Sequence, residues 1–339
     1  MKRYSYYIVL LSICYTSSFG QNYTVSKKIN IAGDEGWDYL AVDNSNQNLF
    51  VSHGSVVNVV DLKTDKTIAT VQDTKGVHGI AIANDLNKAF ISCGKDNTVS
   101  VINLKTFELI EKIKIEGQKP DAILYDQFSH YVLTYNAKSS DATVIDANTN
   151  KVVKTIPLGG KPEFSVTNTK GLIYVNIEDK NEIKTIDTKT LKVVNTWSIA
   201  PGDEPSGLAL DIQNNILFSV CGNKMMVIVD ATSGKTIQTV TIGDGCDGVA
   251  FDAKKKMIFS SNGEGTITAV KEEGSKKFSV AQTITTQRGA RTITINPTTG
   301  QLYTPTASFG KKPEATTENP KPRAGLTPNS FTVLVVESK

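Results

Sequence analysis

Seven related stretches fill this chain from Trp37 to its end, and the constancy of their spacing limits the possible folds more than any residue type does. They open WDYLAVD at Trp37, VHGIAIA at Val77, PDAILYD at Pro120, PEFSVTN at Pro162, PSGLALD at Pro205, CDGVAFD at Cys246 and ARTITIN at Ala290, at intervals of 40, 43, 42, 43, 41 and 44 residues. Within the first copy, residues 38–43, 48–52, 57–62 and 67–71 are short runs rich in β-branched and aromatic residues, bounded by turn formers. Such runs read as strands. A period of about 40 to 50 residues carrying four antiparallel strands is the signature of a β-propeller. The expectation is an all-β, seven-bladed β-propeller over residues 21–339. Apolar residues at adjacent positions (Ile80, Ala81, Ile82; Leu208, Ala209, Leu210) predict first strands covered on both faces, as in twisted sheets stacked around an axis.

The seventh copy stops at a third strand, SFTVLVVESK, with no fourth after it. Residues 23–32 read like the missing strand, so the first strand of the mature chain is expected to complete the last blade and close the ring. Closure removes an exposed sheet edge. The seventh copy also carries an insertion, residues 307–330, rich in Pro, Lys, Glu and Thr, which reads either as an unpacked excursion or as a lid over one mouth.

The N-terminus follows a different logic. Lys2 and Arg3 precede an apolar run over residues 6–15 and then SSFG, the order of a secretory signal peptide cleaved near Gly20. Residues 1–20 are therefore expected to be removed and the protein to be periplasmic or secreted; lipidation at Cys14 is the alternative. No later apolar segment approaches ~20 residues, so no transmembrane span is expected. Export leaves Cys93, Cys221 and Cys246, of which Cys221 and Cys246 either bridge or stay as buried thiols. Lys and Arg number 37 against 34 Asp and Glu, without a basic run, which argues against nucleic acid.

The second residue of each copy should form a ring at the upper mouth: Asp38, His78, Asp121, Glu163, Ser206, Asp247 and Arg291. Five are formally charged in a chain that is 21% charged. They either cap strand starts or converge as a polar funnel for a cationic group, a metal ion or a sugar-like ligand. His53 ends the second strand of the first copy and His78 opens the next copy, so the two are expected to approach. With Asp38 and Asp121 they could hold a divalent metal, although no fixed-spacing motif calls for one. Arg323, in the insertion, could face the funnel. No phosphate loop, zinc-protease helix, nucleophile elbow or haem attachment motif is present, so no cofactor is expected.

The segment LIYVN at residues 172–176, the pattern VIDxxTxKVVxTIxxGxxP over residues 144–162 and the ending PRAGLTPNSFTVLVV carry a family likeness. The chain resembles the YVTN-repeat, YncE-like family of exported bacterial seven-bladed propellers across its mature length. The sixth copy departs from it, with AVKEEGSKKF in place of the VID turn. The resemblance implies a monomer that binds a small molecule, polymer or protein partner at the upper face without catalysis. Looser likeness to propeller lactonases and to propellers attached to redox enzymes leaves two alternatives open. One is a hydrolase or lyase using His53 or His78 as base with Asp121 or Glu163; the other is a scaffold for a redox partner.

Overall fold

The computed structural model describes residues 22–274, 276–314, 316, 322 and 324–339. Seven four-stranded antiparallel sheets are present among the described residues, and in six of them each strand pairs with its neighbour in sequence. The first blade runs through Trp37–Asp43, Asn48–His53, Val56–Asp61 and Lys66–Val71, and the next five repeat that plan. The molecule is the expected all-β, seven-bladed propeller. The predicted signal segment and Cys14 lie outside the described residues, and no described helix is long and apolar enough to cross a membrane.

Cohesion lies between blades. The seven hydrophobic clusters among the described residues each join two neighbouring sheets. Val57, Val59 and Phe50 meet Ile80, Ile91 and Ile102 between blades one and two, and Leu133, Tyr135 and Val144 meet Ile173, Val175 and Ile186 between three and four. Burial of such surface stabilises by about 25 cal/mol per Å². The VID pattern has a local reason: the Asp that ends a third strand folds the turn to the fourth. Asp61, Asp146 and Asp187 each accept from the backbone N–H groups two and three residues on, at 2.8 to 3.0 Å.

Closure occurs at blade seven. Tyr23–Asn30 pairs antiparallel with Thr332–Ser338 on the outer edge of the last sheet, with a bulge between Val25 and Lys27. Tyr23, Ile29 and Ile31 are buried, and Tyr23 meets Phe259 of blade six edge-on at 4.9 Å. The innermost strand of this blade is shorter than ARTITIN suggested, only Thr294–Ile295. Its first residues are spent on a turn (Ala290 N–H to the Gln287 carbonyl, 3.1 Å) and on neighbours: Ser261 of blade six donates to the Arg291 carbonyl, and Thr292 donates to the Asp38 carbonyl of blade one at 2.6 Å.

Candidate functional site

Six of the innermost strands share a distortion where they reach the upper mouth. Pairing with the second strand is broken just after the first residue, between Trp37 and Leu40, Val77 and Ile80, Pro120 and Ile123, Pro162 and Ser165, Pro205 and Leu208, and Cys246 and Gly248. A bulge of this kind frees side chains from strict alternation, so the second and third residues of a copy can both turn to the axis. The residue ahead of the strand is left-handed in five copies: Gly76, Gly245 and Gly289, where glycine is at ease, and Lys119 and Glu204, where it is not.

Side chains from the second strands hold these bulges open. Ser52 accepts from the Asp38 N–H (3.0 Å). Ser92 accepts from Gly79 N–H (2.8 Å) and donates to the Asp121 carbonyl of the next blade. Asn176 donates to the carbonyls of Ser206 and Gly207 (3.0 and 3.1 Å), while Ser261 links Gly248 to Arg291. All four occupy the fifth position of their strand, inside runs read from the sequence only as strands; a polar residue recurring there was the available signal.

The ring itself is a chain of ion pairs. His78 Nδ1 lies 2.7 Å from Asp38 Oδ2 and 3.5 Å from Asp121 Oδ1. Arg291 places Nε 2.6 Å from Asp247 and Nη2 3.3 Å from the other oxygen of Asp38, spanning from blade six to blade one. Glu163 meets Lys161 Nζ at 2.8 Å, and Lys161 also meets Glu178. Crowding of acids in a poorly hydrated mouth shifts their protonation. Burial, then the charge of Asp121, pushes Glu163 up to about 8. Burial first, against the pull of Arg291, pushes Asp247 up to about 6, and Asp121 is likewise raised, chiefly by burial. Burial works against the His78 cation, but its hydrogen bond to Asp38 and the charge of Asp121 prevail and raise its pKa.

A contact across the ring axis involves a residue the sequence reading passed over. Tyr39, third in its copy, crosses from blade one to meet Phe164, third in blade four, at 5.6 Å between ring centroids. Room for the pair comes from small residues at the same position elsewhere: Gly79, Ala122, Gly207 and Gly248. Tyr39 is 9% exposed. Its phenol pKa is held far above the ordinary value, first by burial and then by the charges of Asp121, Glu163, Asp38 and Asp247. A cavity of about 540 Å³ at the upper mouth is lined by Trp37, Asp38, His78, Lys95, Lys119 and Arg291. A second space of about 430 Å³ is lined by Leu40, Ile80, Ile123, Phe164 and Leu210 together with Tyr125, Ser165 and Thr167.

Thus Asp38, His78, Asp121, Glu163, Asp247 and Arg291 come together at the upper mouth. His53 does not join them: it is 2% exposed, stacks on Phe331 at 4.1 Å and sets Nδ1 3.1 Å from Asn58 Oδ1. The two-histidine grouping expected from the sequence is replaced by one histidine with two carboxylates, Asp38, His78 and Asp121, whose ligand atoms all lie within 4.8 Å of one another. Arg323 lies outside the described residues. The stem of its insertion is ordered by a bridge between Phe309 and Leu326, and Phe309 packs on Trp37 at the edge of the mouth. Cys93, Cys221 and Cys246 are buried free thiols, and Cys246 Sγ donates to the Cys221 carbonyl at 3.1 Å.

No protein-family model matches this chain, and no curated protein matches it significantly. Solved structures share its fold. A chain of Kuenenia stuttgartiensis hydrazine synthase superposes with a TM-score of 0.72 at 16% identity, over 81% of this chain and 94% of that one. A chain from a crystal structure of a mitotic checkpoint complex superposes with a TM-score of 0.75 at 12% identity, over 99% and 98%. At these identities the likeness establishes the propeller architecture and nothing about the site.

Proposed function

We propose that this chain is an exported, monomeric, YncE-like propeller that binds a small polyhydroxylated ligand, a sugar or sugar acid, in its upper funnel. The observation that carries the reading is the mixture of groups around one mouth. Asp121, Glu163 and Asp247 offer oxygens to hydroxyl donors, and Arg291, His78, Lys95 and Lys119 offer donors to hydroxyl and carboxylate oxygens. The cavity over the first two blades, about 540 Å³ and lined by Asp38, His78, Lys95, Lys119 and Arg291, falls within the usual size of small-molecule pockets, and Asp121 and Asp247 adjoin that lining through His78 and Arg291. The charged and apolar order of residues 1–20 supports export, and the VID and YVN motifs support the family.

Isothermal titration of the full chain against neutral sugars, sugar acids and matched simple alcohols tests this. The expected result is saturable one-to-one heat for the sugar class, weakened about tenfold by Glu163→Ala or Lys119→Ala, as loss of a hydrogen bond to the ligand implies. Silence across the panel, or heat unchanged in both variants, contradicts the reading. A second reading, a lactonase-like hydrolase or lyase, is favoured by Glu163: a carboxyl pushed up to about 8 holds a proton near neutral pH and can act as a general acid. Turnover of a lactone panel that disappears in Glu163→Gln would select it.

A further inference from the structure

We infer that Asp38, His78 and Asp121 hold a divalent transition-metal ion at the floor of the upper funnel, with the Tyr39 hydroxyl beside it and the remaining positions open to ligand. The inference rests on the reading of the upper mouth as the binding face. Three consecutive blades supply the donors from the same position of the repeat, so their spacing is set by backbone bulges and not by flexible loops. The separations of 2.7 and 3.5 Å, with all three ligand atoms within 4.8 Å, need little adjustment. An ion bonded at about 2.1 Å to each donor sets neighbouring donors about 3 Å apart.

The imidazole is aimed for this task. A Cβ on Gly94 would lie 2.9 Å from His78 Nε2, so that edge of the ring is packed against the second blade and Nδ1 is the nitrogen turned to the carboxylates. Arg291 takes Oδ1 of Asp38, which fixes Oδ2 toward His78. Tyr39 is the independent observation. Nine-tenths buried beside Asp38 on the same strand, Tyr39 carries a hydroxyl with no hydrogen-bond partner among the described residues. That hydroxyl keeps contact with solvent, so an ion or its bound water can supply the partner it lacks. Two carboxylates and one imidazole suit Mn²⁺, Fe²⁺ or Zn²⁺. Asp38, His78 and Asp121 keep 15, 25 and 12% side-chain exposure toward the cavity, which gives the ion an entry path.

The full chain, stripped with a chelator, is titrated with Mn²⁺ while the free ion is followed by its EPR signal. One Mn²⁺ per chain is expected, and pulsed EPR of the wild-type complex should show coupling to one imidazole nitrogen. Asp121→Asn and His78→Gln should weaken binding by about tenfold or more, and His130→Gln, in the turn between the first two strands of blade three, should leave it unchanged. Absence of stoichiometric Mn²⁺ and Zn²⁺ binding, or a wild-type complex without nitrogen coupling, overturns the assignment whether or not the variants fold. Sugar binding that persists in chelator, with no metal bound, removes the ion and keeps the funnel reading; metal binding with no response to the sugar panel does the reverse.

Discussion

Glu163 shows how a single position in a sevenfold repeat acquires chemistry its six counterparts lack. It faces Lys161, Glu178 and Asp121, and burial dominates, so its carboxyl is pushed up to about 8, far above the usual carboxylate range. A carboxyl that binds its proton more tightly when folded stabilises fully below its unfolded value, and that contribution fades as pH rises toward 8. In metal-free buffer, the melting temperature of wild type should therefore fall between about pH 5 and 8 more than that of Glu163→Gln; parallel profiles would refute the assignment. Ser92 makes a second test. Ser92→Ala strands the Gly79 N–H and the Asp121 carbonyl, and chemical denaturation should read a loss of about 1–3 kcal/mol. The ring residues were legible in the sequence because the repeat register aligns them. Tyr39 was not, because its partner Phe164 lies on the far side of the axis, and no local pattern encodes a contact across a closed ring.

At the scale of the strand, the sequence reading was sound wherever hydrogen bonding follows the two-residue alternation and short wherever it does not. The four runs of the first copy match the observed strands to within two residues. ARTITIN reads like its six relatives, yet only Thr294–Ile295 enters the ladder, because the N–H groups of Ala290 and Arg291 are taken by the turn carbonyls of Gln287 and Gly289. His53 ends its strand as expected, but the closing segment brings Phe331 onto its ring and draws it out of the mouth's chemistry. Close approach of innermost strands also explains a glycine. A Cβ at Gly248 would lie 2.8 Å from Ile293 N, so Gly248→Ala should force blades six and seven apart at a cost of about 1–3 kcal/mol. A melting temperature equal to wild type would show that the strands can part freely.

For the molecule as a whole, the two ends of the chain make one sheet, and the polar ring exists only because that sheet closes. Deleting residues 22–30 removes the strand that covers Thr332–Ser338, exposes Phe259 and leaves an open edge. The shortened chain should be insoluble or lose its cooperative transition in calorimetry, and a soluble product with an unchanged transition would contradict the closure. The ring gathers acids, a histidine and an arginine from chain positions as distant as Asp38 and Arg291 at one mouth. The most direct test of the account is a crystal structure of the chain with a bound member of the sugar panel. The account predicts density at the upper mouth in contact with Asp121 and Glu163; density confined to the lower channel or the outer strands would contradict it.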